Sequence, residues 1–359
     1  MVNPDPDFWC DRSVFLTGHT GFKGAWLAIW LRHMGARVTG YALEAPNQPS
    51  LFDVMGDGIV DQHIHGDVRD IETLARAIKL AAPEVVIHMA AQSLVRPSYD
   101  DPVGTYSTNI MGVVNLLESV RLADGVKAVV NVTSDKCYEN RNWLWSYRED
   151  EPMGGHDPYS SSKGCAELVT ASFRSSFFNG RSGQPAVATA RAGNVIGGGD
   201  WAIDRIIPDC IRAFQAGETL SIRNPAATRP WQHVLDPLCG YLLLAEHLAN
   251  AEDPSAFAEG WNFGPGENDA RPVGEIAERM VALWGDTAAW AHENTPQPHE
   301  ANHLKIDASK ARKRLGWQHR LPIEEALSWT IDWYKRHTDG EDAKALCLEQ
   351  IKNLEAQYA

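Results

Sequence analysis

Between an apolar run, Ser13–Thr17, and a helical pattern marked by Phe22, Ala25, Trp26, Ile29 and Trp30, the chain carries Gly18-His19-Thr20-Gly21-Phe22-Lys23-Gly24. Glycines at every third position in a strand-to-helix turn leave few options. The first permits a tight turn, the second lets backbone approach a ligand closely, and the third lets helix and strand pack together. The helix start then offers N–H groups to an anion such as a pyrophosphate. Glycine spacing alone is a weak signal, and an ordinary tight turn is the plain alternative. Its position at the head of an alternating chain makes a dinucleotide site the expectation. Lys23 reads either as a charge beside the phosphates or as a solvated helix lysine.

The alternation continues. Apolar, β-rich runs at 37–42, 59–65, 84–88, 127–133 and 186–190 are separated by helical patterns at 70–82, about 103–123 and 159 to about 178. Short apolar strands alternating with helices predict an α/β fold, a doubly wound parallel sheet covered on both faces. Trp261-Asn-Phe-Gly reads as one more strand returning to that sheet. Two units follow: residues 1–194 with a returning segment near 233–264, and a smaller interleaved α/β unit from 195–232 and 265–359. Trp26 with Trp30, and Trp329 with Trp333, stand at helical spacing and read as core.

Charge narrows the partners. Lys and Arg number 33 against 47 Asp and Glu, a formal net charge of −14. Such a surface repels nucleic acid, and an anionic ligand requires cations gathered at one place. No apolar run reaches the roughly 18–20 residues of a membrane helix, and the acidic, Pro-broken start is unlike a signal peptide. The six cysteines are scattered without metal-ligand spacing, so reduced thiols, a cytoplasmic setting and no metal are expected.

Tyr159 and Lys163 lie four apart at the start of a helix pattern and so share a face. Lys163 can hold a cofactor ribose and lower the Tyr159 pKa, so that the phenolate takes a proton from a sugar hydroxyl during hydride transfer. Ser134, Asp135 and Lys136 follow the fifth strand, at the carboxyl edge where parallel sheets place chemistry. Ser134 can hold the reacting hydroxyl. Asp135 and Lys136 add an acid and a base beyond what hydride transfer requires; a capped turn with a solvated lysine is the alternative. Glu44, past the second strand, is the candidate ribose acid, and with no Arg there the cofactor reads as NAD rather than NADP. Asp67 reads either as an adenine contact or as a helix cap. Ala90 and Ala91 read as a small-residue wall beside the cofactor, and His88 as a satisfied strand-end histidine.

Together these residues resemble an extended short-chain dehydrogenase/reductase with a Rossmann-type sheet, and within it the CDP-glucose 4,6-dehydratase family. The resemblance covers nearly the whole chain. It rests on Gly18–Gly24, His88-Met-Ala-Ala-Gln92, Thr133-Ser-Asp-Lys-Cys-Tyr138, Tyr159-Ser-Ser-Ser-Lys-Gly-Cys-Ala-Glu167, Arg191-Ala-Gly-Asn-Val-Ile-Gly-Gly-Gly-Asp-Trp201 and Arg229-Pro-Trp-Gln-His-Val234. Ser-Asp-Lys is the diagnostic triplet, since dTDP-glucose dehydratases carry Thr-Asp-Glu and GDP-mannose dehydratases Thr-Ser-Glu. The resemblance implies a hydro-lyase with NAD as a recycled cofactor. Tyr159, Ser134 and Lys163 serve oxidation at C4, Lys136 takes the C5 proton, and Asp135 protonates the departing C6 hydroxyl. Gly18 to Gly24, Asp67, Val68, Ala90, Ala91, Gln92 and Asn109 are then the cofactor set. Asn194, Arg205, Arg223, Arg229 and His233 are the candidates for a nucleotide sugar, CDP-glucose by family. Trp201 or Trp231 packs on a base or a loop, and His299 is a weaker candidate. A homodimer through the helices near 103–123 and 159–178, with a homotetramer as the larger alternative, and a role in making bacterial surface polysaccharide such as O-antigen are implied too. A dehydratase or 4-epimerase for another nucleotide sugar is the enzymatic alternative, and a non-catalytic nucleotide sensor the other.

Overall fold

In a computed structural model, residues 2–179, 181, 183–285, 288–293 and 304–357 are described. Seven strands form the central sheet: β1 (Ser13–Thr17), β2 (Arg37–Ala42), β3 (Gln62–His65), β4 (Val85–His88), β5 (Ala128–Val132), β6 (Ala186–Ala192) and β7 (Gly260–Phe263). Their order is β7-β6-β5-β4-β1-β2-β3, and every neighbouring pair is parallel. The helices of ten or more residues are α1 (Phe22–His33), α2 (Ile71–Ala81), α3 (Gly112–Arg121), α4 (Pro158–Phe173), α5 (Ile206–Ala216), α6 (Leu235–Asn250), α7 (Val273–Trp284), α8 (Ile323–Thr338) and α9 (Ala343–Gln357).

The strands are apolar on both sides because both sides are covered. Val14, Leu16, Val85, Ile87 and Val130 join a core with α1, α6, α8 and α9. Phe15, Val86, Val129 and Val187 alternate with them and face α2, α3 and α4. Strand order reverses between β1 and β4, so the crevice above their carboxyl ends is where such a sheet receives a ligand. Trp26, Trp30 and Trp333 are fully buried and Trp329 is half-buried against the first core.

Departures from the sequence expectation have local causes. Pairing of β3 begins at Gln62 rather than 59; just before it Asp61 donates its backbone N–H to the Val38 carbonyl, and its carboxylate accepts the Val38 N–H at 2.7 Å and pairs with Arg32. The helix expected near 103–123 is three pieces: Pro102–Tyr106, a π turn at Ser107–Met111, and α3. A second π turn, Arg174–Phe178, follows α4. Beyond β6 the chain makes small pairs: Val195–Ile196 with Gln232–His233, Thr219–Ile222 with Ala289–His292, and Thr228–Pro230 with Ala270–Pro272. Most of these strands are too short to show alternation, though Thr219–Ile222 alternates exposed and buried residues. Among the described residues, no helix is long and apolar enough to cross a membrane.

Candidate functional site

The glycine turn sits at the strand-order switch. Gly18 has φ +74°, and a Cβ there would lie 2.7 Å from the Ala90 nitrogen. A Cβ on Gly24 would lie 2.1 Å from the Gly18 carbonyl oxygen. Only glycine lets the turn close on β4 and α1 close on the turn. Gly21 differs: the nearest atom to its Cβ position is the Gly18 oxygen at 3.5 Å, and as N-cap of α1 it makes no side-chain capping bond. The first turn of α1 thus offers N–H groups without a side-chain acceptor, as a pyrophosphate requires. The residues present fit a dinucleotide.

The side chains around this turn sort by direction. Thr20 donates to the Leu43 carbonyl at 3.0 Å. His19 turns away from the crevice. Its ring packs under Gly40 and on Phe52, its Nε2 lies 2.7 Å from His63 Nδ1, and burial holds its pKa down at about 3. Its place in the cofactor set is therefore as backbone. Phe22 is half-buried. Lys23 is half-buried over the Tyr241 ring, 5.8 Å from its centroid. Burial first, then the charges of Lys163 and Arg205, push its ammonium down to about 7. Lys23 thus belongs to a gathering of cations rather than to solvent.

At the far end of β2, the Glu44 side chain is 92% exposed, with His65 at 3.8 Å. The Asp67 carboxylate is bound by Arg69 at 2.8 and 3.0 Å, which holds it below the usual carboxylate range. Asp70, not Asp67, caps α2, accepting from Glu72 and Thr73. Val68 is buried against Gly112. Ala90 and Ala91 are half-buried beyond β4. Asn109 is buried in the π turn and fully engaged: it accepts from Gln92 N, and donates to Gln92 O and Ser162 Oγ, each at 2.9 Å. The Gln92 side chain is itself bonded to Leu94 and Thr105. These two amides tie the loop after β4 to helix α4, and their side-chain N–H groups are all engaged within the protein.

The turn after β5 faces α4. Ser134 Oγ donates to Asp135 Oδ1 at 3.1 Å, accepts from Lys136 N at 3.2 Å, and shares a hydrogen bond with the Tyr159 side chain. Tyr159 and Lys163, both buried, project from the first turns of α4. Asp135 is 3% exposed and its Oδ2 has no partner among the described residues. Gly193 explains the fit: a Cβ there would lie 3.0 Å from that oxygen. Burial pushes the Asp135 carboxyl up, against the opposing charges of Lys136 and Arg229. A buried carboxyl with an open oxygen is a proton donor in waiting. Burial likewise pushes Tyr159 up to about 12 and Lys163 down to about 8. At Tyr159 desolvation outweighs the Ser134 hydrogen bond and the Arg205 charge, which act to lower it.

Beneath this turn lies a buried network. Glu167 accepts from Thr133 Oγ1 and from Thr189 Oγ1 at 2.7 Å, and pairs with Arg191 at 2.8 Å. Burial raises its carboxyl, but Arg191 and these hydrogen bonds win and hold it below its ordinary value. Arg191 also donates to Tyr138 Oη at 2.7 Å and to the Glu149 carbonyl at 3.0 Å, and Tyr138 donates to Asn262 Oδ1 at 2.7 Å. Strands β6 and β7 thereby grip the turn that carries Ser134, Asp135 and Lys136. Glu167 stands four residues past Lys163, a spacing that could have flagged it.

The substrate candidates divide. Arg205 precedes α5, pairs with Asp200 at 2.9 Å and reaches Ser93 Oγ at 3.3 Å, and its charge acts on Tyr159. Arg223 pairs with Asp204 at 3.1 Å. Arg229 is buried, donates to the Thr228 carbonyl at 3.0 Å, and acts on Asp135. Asn194 is half-buried, and its carbonyl accepts from Gln232. His233 is not in the cleft. It is fully buried between Trp26 and Trp329, and desolvation keeps it neutral, which corrects its expected substrate role. Trp201 packs on Trp333 and Tyr334, and Trp231 donates to the Arg271 carbonyl, so both pack on protein. His88 accepts or donates at Thr17 with its Nδ1, 2.7 Å away, and is held neutral by burial. His299 lies outside the described residues. Sequence reasoning missed Arg96, Asp204 and Tyr241. Tyr241 is a fully buried phenol without a hydrogen-bond partner among the described residues, close enough to Asp135 and Tyr159 to feel their charges.

Residues 15–330 match the model of a family described as GDP-mannose 4,6 dehydratase. The chain is 54% identical over 353 residues to a CDP-glucose 4,6-dehydratase of Salmonella typhimurium, covering 97% of this chain and 98% of that one. Its structure is similar to that of a dTDP-glucose 4,6-dehydratase from Streptomyces venezuelae with NAD bound, at 24% identity and a TM-score of 0.75, covering 90% and 97% of the two chains. It is also similar to an epimerase from Methanothermobacter thermautotrophicus, at 23% identity and a TM-score of 0.79, covering 93% and 95%.

Proposed function

The chain belongs to the GDP-mannose 4,6-dehydratase family, and on that premise we propose that it removes water from CDP-glucose to give the CDP-4-keto-6-deoxy sugar, with NAD as a recycled cofactor. Identity of 54% along almost the full length to a CDP-glucose 4,6-dehydratase supports the choice of nucleotide. One observation carries the choice of reaction. Beside the Ser134, Tyr159 and Lys163 set stands a second acid, Asp135, buried with an open Oδ2 and a raised pKa. Hydride transfer alone has no use for it, whereas loss of a hydroxyl as water does.

The glycine turn and the first turn of α1 would hold the cofactor pyrophosphate, Ala90 and Ala91 would flank it, and Lys163 would hold a ribose. When bound, NAD would supply the hydride acceptor for C4 and the hydride donor for C6. The protein handles the protons. Ser134 holds the C4 hydroxyl while Tyr159 takes its proton. The resulting ketone acidifies C5, whose proton passes to Lys136 in its neutral amine form and later returns. Asp135 protonates the C6 hydroxyl, which leaves as water; the proton it gives balances the one Tyr159 takes. Residues 1–194 with 233–264 form the cofactor part, and 195–232 with 265–359 the substrate part.

Incubation with CDP-, dTDP- and UDP-glucose and GDP-mannose, followed by mass spectrometry, tests the reaction. Loss of one water from CDP-glucose is expected; an isomer of unchanged mass would make the chain an epimerase instead. Tyr159→Phe should abolish oxidation, whereas Asp135→Asn should keep C4 oxidation and lose elimination by about 10²–10⁴-fold. Water loss by Asp135→Asn at the wild-type rate would remove that residue from the mechanism.

A cytoplasmic homodimer completes the proposal. Val113, Leu116, Leu117 and Val120 do not serve it, because they are buried in the protomer's own core. Val103, Met111 and Leu122 beside α3 and Leu168 on α4 are exposed, and they are the apolar groups left for a second copy. Sedimentation should show a dimer, and replacing Leu168 with Glu should dissociate it.

A further inference from the structure

At the mouth of the cleft two guanidinium groups close on one oxygen. Arg96 lies on the short helix Val95–Asp100 that follows β4. Arg223 follows the strand Thr219–Ile222 of the smaller lobe. Arg96 Nη1 lies 3.5 Å, and Arg223 Nη2 3.1 Å, from the same atom, Asp204 Oδ1. Alongside, Arg205 links Asp200 to Ser93 across the same gap. Arginines converging from two sides on a single oxygen are the makings of an anion site, and here a side chain of the chain itself fills it. The side chains of Arg96, Asp204 and Arg223 are 41%, 30% and 30% exposed, so water can enter and the pairs are weak enough to exchange. Asp204 has φ +59°, a left-handed conformation that Asp and Asn tolerate better than other non-glycine residues.

We propose that Asp204 is an internal stand-in for the substrate diphosphate: it occupies the Arg96–Arg223 site until the nucleotide sugar displaces it. The proposal rests on the nucleotide-sugar reading above and adds to it a positioning residue that sets affinity. In the resting protein Asp204 keeps two like charges from repelling and draws the two sides of the cleft together. A diphosphate brings two negative charges where the carboxylate brings one, so it wins the exchange, but at reduced apparent affinity. Asp204 therefore raises the substrate concentration the enzyme needs without touching the reacting carbons.

Asp204→Asn keeps the shape and the left-handed backbone and removes only the charge; Asp204→Gly keeps the left-handed backbone and removes the whole side chain. In both, the KM for CDP-glucose and the Kd for CDP should fall about three- to tenfold, with kcat changed less than about twofold. Inorganic pyrophosphate should bind tighter as well. The Kd for NAD should not move, which separates the substrate diphosphate from that of the cofactor. Adding Arg223→Ala to either variant should cancel the gain. A KM that stays or rises in both variants overturns the proposal, as does equal tightening of NAD. If no nucleotide sugar loses water, the reaction reading fails on its own, and the CDP and pyrophosphate titrations still decide the role of Asp204.

Discussion

Glu167 and Arg191, at the floor of the cleft, are 4% and 5% exposed, and Thr133, Thr189, Tyr138 and a backbone carbonyl take up their other polar atoms except the Arg191 Nε, which has no partner among the described residues. Arg96, Asp204 and Arg223, at its mouth, are also carboxylate and guanidinium, but a third of each is open to water. Pairing is the same chemistry in both; burial makes them different devices. At the floor neither charge can leave its partner without being stranded in a medium that solvates it poorly, so the turn bearing Ser134 to Lys136 is fixed. At the mouth water or another anion replaces a partner at little cost, so the groups there can hand over to a ligand.

The contrast can be broken at several points. The largest effect is expected at the floor: Arg191→Ala strands the Glu167 carboxylate and should destabilise the fold by about 3–5 kcal/mol in urea unfolding. A loss below about 1 kcal/mol would mean that burial does not separate the two sets. Next comes Lys163, which stands between floor and mouth with its ammonium lowered to about 8 by burial. The charged form exists below that pH and is lost above it, so kcat/KM should fall on an alkaline limb near pH 8. Lys163→Arg, which cannot lose its proton, should lower activity but remove that limb. The smallest effect belongs to the mouth, where Asp204→Asn should shift unfolding by no more than about 0.5 kcal/mol at any salt concentration. Added salt should narrow the difference in CDP affinity between this variant and the wild type, because the pairs it replaces are solvated.

What the sequence disclosed follows the range of each signal. Turn chemistry and periodicity act over a few residues. They sufficed to find the Gly18–Gly24 turn, the Tyr159 and Lys163 face of α4 and the strands buried on both sides. That Trp261-Asn-Phe returns to the sheet was legible from its two large aromatic residues, bounded by glycines, whereas its pairing with β6 was not. The mouth was not legible: Arg96 and Asp204 meet across more than a hundred residues, and nothing local marks either. His233 was misread because a polar residue in a motif suggests contact with ligand, whereas burial between Trp26 and Trp329 makes it core.

The π turn at Ser107–Met111 has a consequence for how this helix is phased. Thr105 lies eight positions before Val113, and both are buried. At about 100° per residue, eight steps of regular helix would swing Thr105 roughly 80° off the face of Val113, whereas seven would leave it within about 20°. The π turn absorbs the surplus residue and so restores the angle. Shortening 107–111 by one residue would then leave an ordinary helix with its inner face still aligned. What would go is the bulge from which Asn109 reaches both Gln92 and Ser162. The surplus residue is one that packing could discard and that only the cleft has a reason to keep.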